Sequence, residues 1–67
     1  MNSYPQPDWH RALGHLVEIR LNGQTLRTGV VDAVMPDGSI LWLSAEGTNP
    51  REMVERACGK EVFARDP

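Results

Sequence analysis

The dipeptide Asn22-Gly23 constrains the fold more than any other feature of this sequence, because it predicts a tight β-hairpin. Asn-Gly between alternating apolar residues is the strongest short-range hairpin signal, since a type I′ turn needs positive φ at both central positions. With these two residues as the loop, we expect the following cross-strand pairs: Leu21–Gln24, Arg20–Thr25, Ile19–Leu26, Glu18–Arg27 and Val17–Thr28. This register predicts a buried face made of Val17, Ile19, Leu21 and Leu26, and an exposed face made of Glu18, Arg20, Thr25 and Arg27.

The second strand of this hairpin changes its apolar phase part of the way along. Leu26 and Val30 continue one parity, whereas Val31 and Ala33 are apolar on the other parity. Gly29 lies at the switch, and a glycine inside a strand permits a bulge or a sharp bend. We therefore expect the strand to bend at Gly29, so that it serves both halves of a small barrel.

A second hairpin follows, with its turn at residues 35–39. Pro36 suits the first central position of a type I turn, and Gly38 accepts a left-handed backbone. The third strand, residues 39–44, is apolar on both faces. The expected pairs are Val34–Ile40, Ala33–Leu41, Asp32–Trp42 and Val31–Leu43.

The two ends of the chain are less regular. Residues 1–7 contain two prolines and predict a flexible, extended arm ahead of a single domain spanning residues 8–67. Asp8 is a candidate N-cap for a short helical turn, Trp9 to Leu13, which Gly14 ends.

The segment after Pro50 has two interpretations. Asn49, Pro50 and Glu52 resemble a capping box for a helix at residues 50–58, with Gly59 as its stop. Alternatively, residues 51–57 form a fourth strand and residues 61–65 a fifth. The helix version would give a sheet of three to four strands plus a helix.

The pattern VEIRLNGQTLRTGVVDAVMPDGSILWL resembles the first half of an Sm fold. In that family an alternating strand is followed by an Asn-Gly turn, a glycine and an Asp a few residues on, the positions held here by Asn22, Gly23, Gly29 and Asp32. The tail REMVERACGKEVFAR is similar to the end of small uncharacterised bacterial SH3-like proteins, with Gly59 in the turn and Phe63 in the last strand. These resemblances imply a mostly β fold, a five-stranded SH3-like or Sm-like barrel with a short N-terminal helical turn.

The resemblance does not extend to the RNA-binding motifs of Sm proteins. That family presents an asparagine just after the Asp and an Arg-Gly pair near the end, whereas this chain has Ala33 and Ala64-Arg65-Asp66. The net charge of −2 also lacks the basic excess of most nucleic-acid binders. A nucleic-acid-binding regulator is the alternative function, and its candidate residues are Arg20, Arg27, Arg51 and Arg56. We expect Glu18, Glu52 and Glu55 to neutralise these arginines.

The function that the sequence favours is a non-enzymatic interaction module, binding a protein partner or itself. If Leu41 and Leu43 face the core, the remaining apolar residues make a second patch around Trp42. This patch is either covered by the N-terminal segment or used as a partner surface, alongside an open strand edge. The candidate partner-binding residues are Trp42, Ile40, Val34 and Trp9.

Other functions have little support from the sequence. No nucleophile-elbow or phosphate-loop motif is present, so we expect neither an enzyme nor a cofactor. His10, His15 and Cys58 lack the spacing of a metal site. The single cysteine fits a reducing compartment, and no apolar run approaches the ~20 residues that span a bilayer. We therefore expect a cytoplasmic protein.

Overall fold

The computed structural model describes residues 3–65, which form six antiparallel strands and two short 3₁₀ turns. The strands are β1 (Ser3–Pro5), β2 (Leu16–Leu21), β3 (Gln24–Val34), β4 (Ile40–Leu43), β5 (Glu52–Glu55) and β6 (Glu61–Arg65). The 3₁₀ turns are Trp9–Ala12 and Arg56–Cys58. The strand order is β1-β6-β2-β3-β4-β5, so β1 and β5 are the two edges. The mostly β prediction is confirmed, but the sheet is an open one of six strands rather than a closed five-stranded barrel.

A single apolar core lies on the inner face of this sheet. Val54, on the edge strand β5, belongs to the same buried cluster as Val62 on β6, although three strands lie between them. The sheet must therefore curl around the core. The eleven-residue β3 joins the two halves, because it pairs with β2 along its first part and with β4 along its second. The buried cluster consists of Trp9, Ala12, Val17, Ile19, Val31, Leu41, Leu43, Val54 and Val62.

The Asn22-Gly23 turn forms as predicted, but the register changes three residues later. Asn22 and Gly23 have φ of +52° and +81°, and the pairs Leu21–Gln24 and Arg20–Thr25 are present. A β-bulge then leaves Leu26 without a partner, so that Ile19 pairs with Arg27. The predicted pairs Ile19–Leu26, Glu18–Arg27 and Val17–Thr28 are wrong. The observed pairs that replace them are Ile19–Arg27, Glu18–Thr28 and Val17–Gly29.

Leu26 consequently lies outside the core, with half of its surface exposed. A bulge inserts one extra residue and reverses the in–out alternation of the strand beyond it. That reversal produces the phase change that the sequence shows, and it occurs at Leu26 rather than at Gly29. Gly29 is buried opposite Val17, where a Cβ would lie 3.5 Å from the Cβ of Leu43. The predicted bend at Gly29 is therefore corrected to a bulge before it.

A second bulge occurs at Asp32. Val31 pairs with Leu43 as predicted, but Ala33 pairs with Trp42 and Val34 with Leu41. The other three predicted pairs of this hairpin are wrong because Asp32 is the extra residue. The turn itself is as expected: the Gly38 N–H donates to the Met35 carbonyl at 2.9 Å, and Gly38 has φ of +73°.

After Pro50 the chain forms a strand, so the helix at residues 50–58 is wrong. Val54 pairs with Leu41 and is buried beside it, and Gly59 ends the following 3₁₀ turn with φ of +83°. Burial of Val54 against β4 outweighs the local capping signals, since a helix this short gains most of its stability from tertiary packing.

The N-terminal segment is ordered against the sheet where the structure describes it. Ser3–Pro5 pairs with β6, in the segment that the sequence predicts to be a flexible arm; the first two residues of that arm lie outside the described residues, as do residues 66–67 of the predicted domain. The Asp8 side chain accepts a hydrogen bond from the His10 N–H at 3.1 Å, as expected of an N-cap. This capped turn positions Trp9 in the core, where only 2% of it is exposed.

We predict that Leu41→Ala will lower the free energy of unfolding by about 2–5 kcal/mol, because it leaves a cavity in the fully buried core. Leu26→Ala is the matched control, and it should change stability by less than about 0.5 kcal/mol because Leu26 lies on the bulge. Urea denaturation at neutral pH measures both values. A large loss of stability in Leu26→Ala would contradict the bulged register.

Candidate interaction surface

The outer face of β4 and β5 carries apolar side chains beside a free strand edge. Leu41 and Leu43 point into the core, so the alternation of β4 turns Ile40 and Trp42 outward. Trp42 pairs with Met53 on β5, and Met53 is 39% exposed. We call Ile40, Trp42 and Met53 the Trp42 surface.

Arg51 covers part of this surface. Its guanidinium lies over the Trp42 ring, 4.4 Å from the ring centroid. The same group makes a two-pronged ion pair with Asp32, in which Nε donates at 3.0 Å and Nη2 at 2.9 Å. These hydrogen bonds lower the pKa of Asp32 and raise that of Arg51. One face of the Trp42 ring is therefore stacked against the Arg51 guanidinium, which Asp32 on β3 holds in place.

The backbone of β5 presents hydrogen-bonding groups at the open edge of the sheet. The Arg56 N–H donates to the Ser39 carbonyl, and the Ile40 carbonyl accepts from the N–H of Met35, the residue after β3, each at 2.9 Å. Antiparallel ladders alternate between bonded and non-bonded pairs. The Ile40–Glu55 and Trp42–Met53 pairs are consequently the non-bonded ones. The N–H and C=O groups of Met53 and Glu55 point away from β4, toward the edge where the described chain has no further strand.

The structure brings together only some of the predicted partner-binding residues. Trp42 and Ile40 lie side by side on the outer face, but Val34 turns inward and packs against the core. Trp9 is a core residue and Leu13 is 52% exposed, so these two residues do not form the predicted cover over Trp42. The sequence reasoning missed Met53 and the stacked Arg51. Both become visible once residues 51–57 are assigned as a strand paired with β4.

Arg20, one of the four arginines predicted for nucleic-acid binding, is held on the outer face of β2. It donates to Glu18 Oε1 through Nε at 3.1 Å and Nη2 at 2.8 Å, and it lies over the Phe63 ring at 3.9 Å. Arg65 Nε approaches the other oxygen of Glu18 at 3.7 Å. These contacts, the hydrogen bond from Arg20 first among them, lower the pKa of Glu18.

Arg27 and Arg56 are held in different places. Arg27 lies at one end of the curled sheet, where Nη1 donates to Glu52 Oε1 at 2.9 Å and to the Pro50 carbonyl at 3.2 Å. Its Nη2 is buried without a hydrogen-bond partner. Arg56 donates to the carbonyls of Pro7 and Gly38. The structure does not bring the four arginines into one stripe.

The predicted neutralisation of these arginines holds for Glu18 and Glu52, whereas Asp32 takes the role expected of Glu55. Among residues 3–65, the hydrogen bond recorded for the Glu55 carboxylate comes from the Cys58 thiol, at 3.8 Å. Glu55 therefore remains an exposed carboxylate beside the open edge.

Two shallow clefts of about 260 Å³ and 360 Å³ are both lined by Arg56, Trp9 and Pro7. Arg56 stacks over Trp9, 4.5 Å from the ring centroid, and donates a hydrogen bond to the Pro7 carbonyl. In the larger cleft, the Ser39 hydroxyl donates to Asp37 at 2.6 Å, which lowers the pKa of Asp37.

Within the described part of the chain, no group of three or more His, Cys, Asp and Glu side chains could hold a metal ion. Neither helical segment of residues 3–65 is long or apolar enough to cross a membrane.

Comparison with known proteins finds no matching family model, no significantly similar curated protein and no significantly similar solved structure.

We predict that Glu18→Gln will destabilise the fold at pH 6 more than at pH 3. The pKa of Glu18 is lowered in the folded state, so its contribution is present above its ordinary value of 4.5 and is lost as the pH falls toward the folded value. Urea unfolding at the two pH values measures the difference. Glu46→Gln, at an exposed loop position outside these ion pairs, is the control. Equal destabilisation of Glu18→Gln at both pH values would contradict the assignment.

Proposed function

We propose that this protein is a non-enzymatic interaction module that binds an extended polypeptide segment along the edge of β5. The observation that carries this proposal is the outward direction of the Met53 and Glu55 backbone groups next to the half-buried Trp42. An added strand would satisfy these groups with main-chain hydrogen bonds, and its side chains would reach the Trp42 surface.

The chemistry of this edge suits a specific but reversible contact. Tryptophan and methionine provide a large apolar anchor area, and aromatic anchors dominate the energy of many small interfaces. β5 has only four residues, and exposed charges at Glu52 and Glu55 flank its apolar centre. Short length and charge are the usual means by which edge strands avoid unselective pairing. The module should therefore prefer partners with complementary charges.

We also propose that the fold is of the SH3-like or Sm-like type and that the protein acts in the cytoplasm. The curled antiparallel sheet with a long bent β3 supports the first statement. The single cysteine supports the second, since a reducing compartment keeps thiols free.

The nucleic-acid-binding alternative receives less support from the geometry. Arg20, Arg27 and Arg51 each pair with a carboxylate, and Arg56 binds backbone carbonyls. Phosphate binding would have to displace these partners. Retention of labelled single-stranded RNA or DNA at low salt, with loss of binding as salt rises, would favour the alternative.

We predict that Met53→Pro will leave the domain folded but remove peptide binding at β5. The Met53 N–H points to the open edge, so a proline there deletes an intermolecular donor and no internal one. Heptapeptides selected from a random phage-displayed library should bind the unchanged protein and shift the amide resonances of Met53 and Glu55. Met53→Ala keeps the N–H but loses apolar contact area, so it should weaken binding less than Met53→Pro does. Binding to Met53→Pro should weaken about tenfold or more.

Val54→Pro is the control for the direction of these groups. Val54 is buried and faces Leu41 in a bonded pair, so proline at this position should unfold the domain. Selected peptides that bind Met53→Pro as tightly as the unchanged protein would contradict the proposed function, as would a selection that yields no binding peptide.

A further inference from the structure

We infer that the segment recognised by β5 is the β5 strand of a second copy of this chain, paired about a two-fold axis at Met53. This inference rests on the proposed function of the β5 edge and names its partner. It comes from the charge pattern of the edge, in which Arg51 and Glu55 lie two residues on either side of Met53.

The direction of the backbone groups restricts the registers available to such a pair. A two-fold axis perpendicular to the sheet pairs residues whose side chains lie on the same face of the sheet. The hydrogen-bonded pairs between the two copies must join residues whose N–H and C=O groups point away from β4, toward the open edge. Met53 and Glu55 have this orientation. Centring the axis on Met53 sets Met53 opposite its own copy, and Glu55 opposite Arg51.

The charges on this edge are complementary in that register. Glu55 is an exposed carboxylate without an arginine partner among residues 3–65. Arg51 binds Asp32 through Nε and Nη2, and its Nη1 donates no hydrogen bond within residues 3–65. Each copy would therefore contribute one arginine and one carboxylate to two equivalent cross-strand pairs.

The apolar groups also become continuous across the axis. Met53 and Trp42 of one copy would adjoin the same residues of the other, so that the exposed methionine is covered. Glu52, which faces the other side of the sheet, already pairs with Arg27 at 2.9 Å and is not left opposite a like charge.

The neighbouring two-fold register, centred on Val54, fits less well. It would set Glu52 opposite Arg56 and Arg51 opposite Ala57. However, the 3₁₀ turn begins at Arg56, so the chain has already left the extended conformation there. Arg56 is also occupied by Pro7, Gly38 and Trp9. The pairing is thus confined to residues 51–55, and such a short interface should form a weak dimer.

Charge reversal tests this pairing without knowledge of any other partner. Sedimentation of the full chain from about 10 µM to about 1 mM should show a monomer–dimer equilibrium at low salt. Glu55→Arg and Arg51→Glu should each weaken self-association about tenfold or more, because like charges then face each other twice. An equimolar mixture of the two variants should restore it, since both cross-strand pairs in the mixed dimer are again of opposite sign.

Controls separate this charge pattern from general effects. Glu46→Arg makes the same charge change on an exposed loop, and it should leave self-association unchanged. Circular dichroism checks that Arg51→Glu folds, since this variant also loses the Asp32 pair. If it does not fold, Glu55→Arg alone still decides: its deficit in self-association should shrink as salt rises.

The outcomes distinguish this inference from the proposed function. A chain that stays monomeric to about 1 mM, or whose mixed variants do not associate better than either alone, overturns the two-fold pairing. If the mixture of the two variants does not recover self-association, the chains pair instead in the register centred on Val54, or head to tail with β5 of one copy against β1 of the next. If Met53→Pro still abolishes peptide binding in those cases, the edge binds another chain and only the self-pairing is wrong.

Discussion

Two β-bulges in β3 determine which side chains of this protein face the core. The first turn sets Arg20 opposite Thr25 on the outer face, whereas Val31 must face inward to meet Leu43. Val31 comes six positions after Thr25, an even spacing that would leave both on the same face of a regular strand. The bulge at Leu26 changes the parity, and the bulge at Asp32 changes it again so that Val34 also reaches the core.

The bulges have consequences at both ends of the curled sheet. The first turns Arg27 toward the inner side, where its side chain is only 16% exposed and its guanidinium reaches Glu52 and Pro50. This ion pair joins β3 to β5, which are not neighbours in the sheet. The Nη2 of Arg27 is buried there without a hydrogen-bond partner among residues 3–65. The second bulge sets Asp32 outward, where it fixes Arg51 over Trp42.

The turns and the strand content of the fold could be predicted from local sequence, but the bulges could not. Asn22-Gly23 and Pro36-Asp37-Gly38 specify their turns because few residues accept those backbone angles. The bulge at Leu26 exposes a leucine, contrary to its own preference, and is favoured only because Val31 and Leu43 then pack together. A choice between two burial patterns that involve distant strands is a tertiary effect. Local periodicity therefore places the phase change of β3 at Gly29, whereas it occurs at Leu26.

The candidate surface likewise combines residues that local sequence predicts with residues that only tertiary packing places. The outward orientation of Trp42 and Ile40 could be predicted from the in–out alternation of β4, because residues two positions apart in a strand lie on the same face. Val34 and Trp9 were assigned to that surface only on the assumption of an unbulged β3 and an N-terminal cover. Arg51 and Met53 could not be placed while residues 50–58 were compatible with a helix. Their roles depend on pairing with β4, which no local signal encodes.

The two edge strands of the sheet, β1 and β5, differ in how they limit pairing with a further strand. β1 has three residues and ends at Pro5, which has no N–H to donate. It also covers the edge of β6. β5 instead keeps its outward N–H and C=O groups and controls access through charge, with Arg51 and Glu55 two residues on either side of Met53. Charge selects partners by sign and position, whereas proline blocks all of them. An edge that is limited by charge, unlike one that ends in proline, keeps the backbone groups that a complementary strand would need.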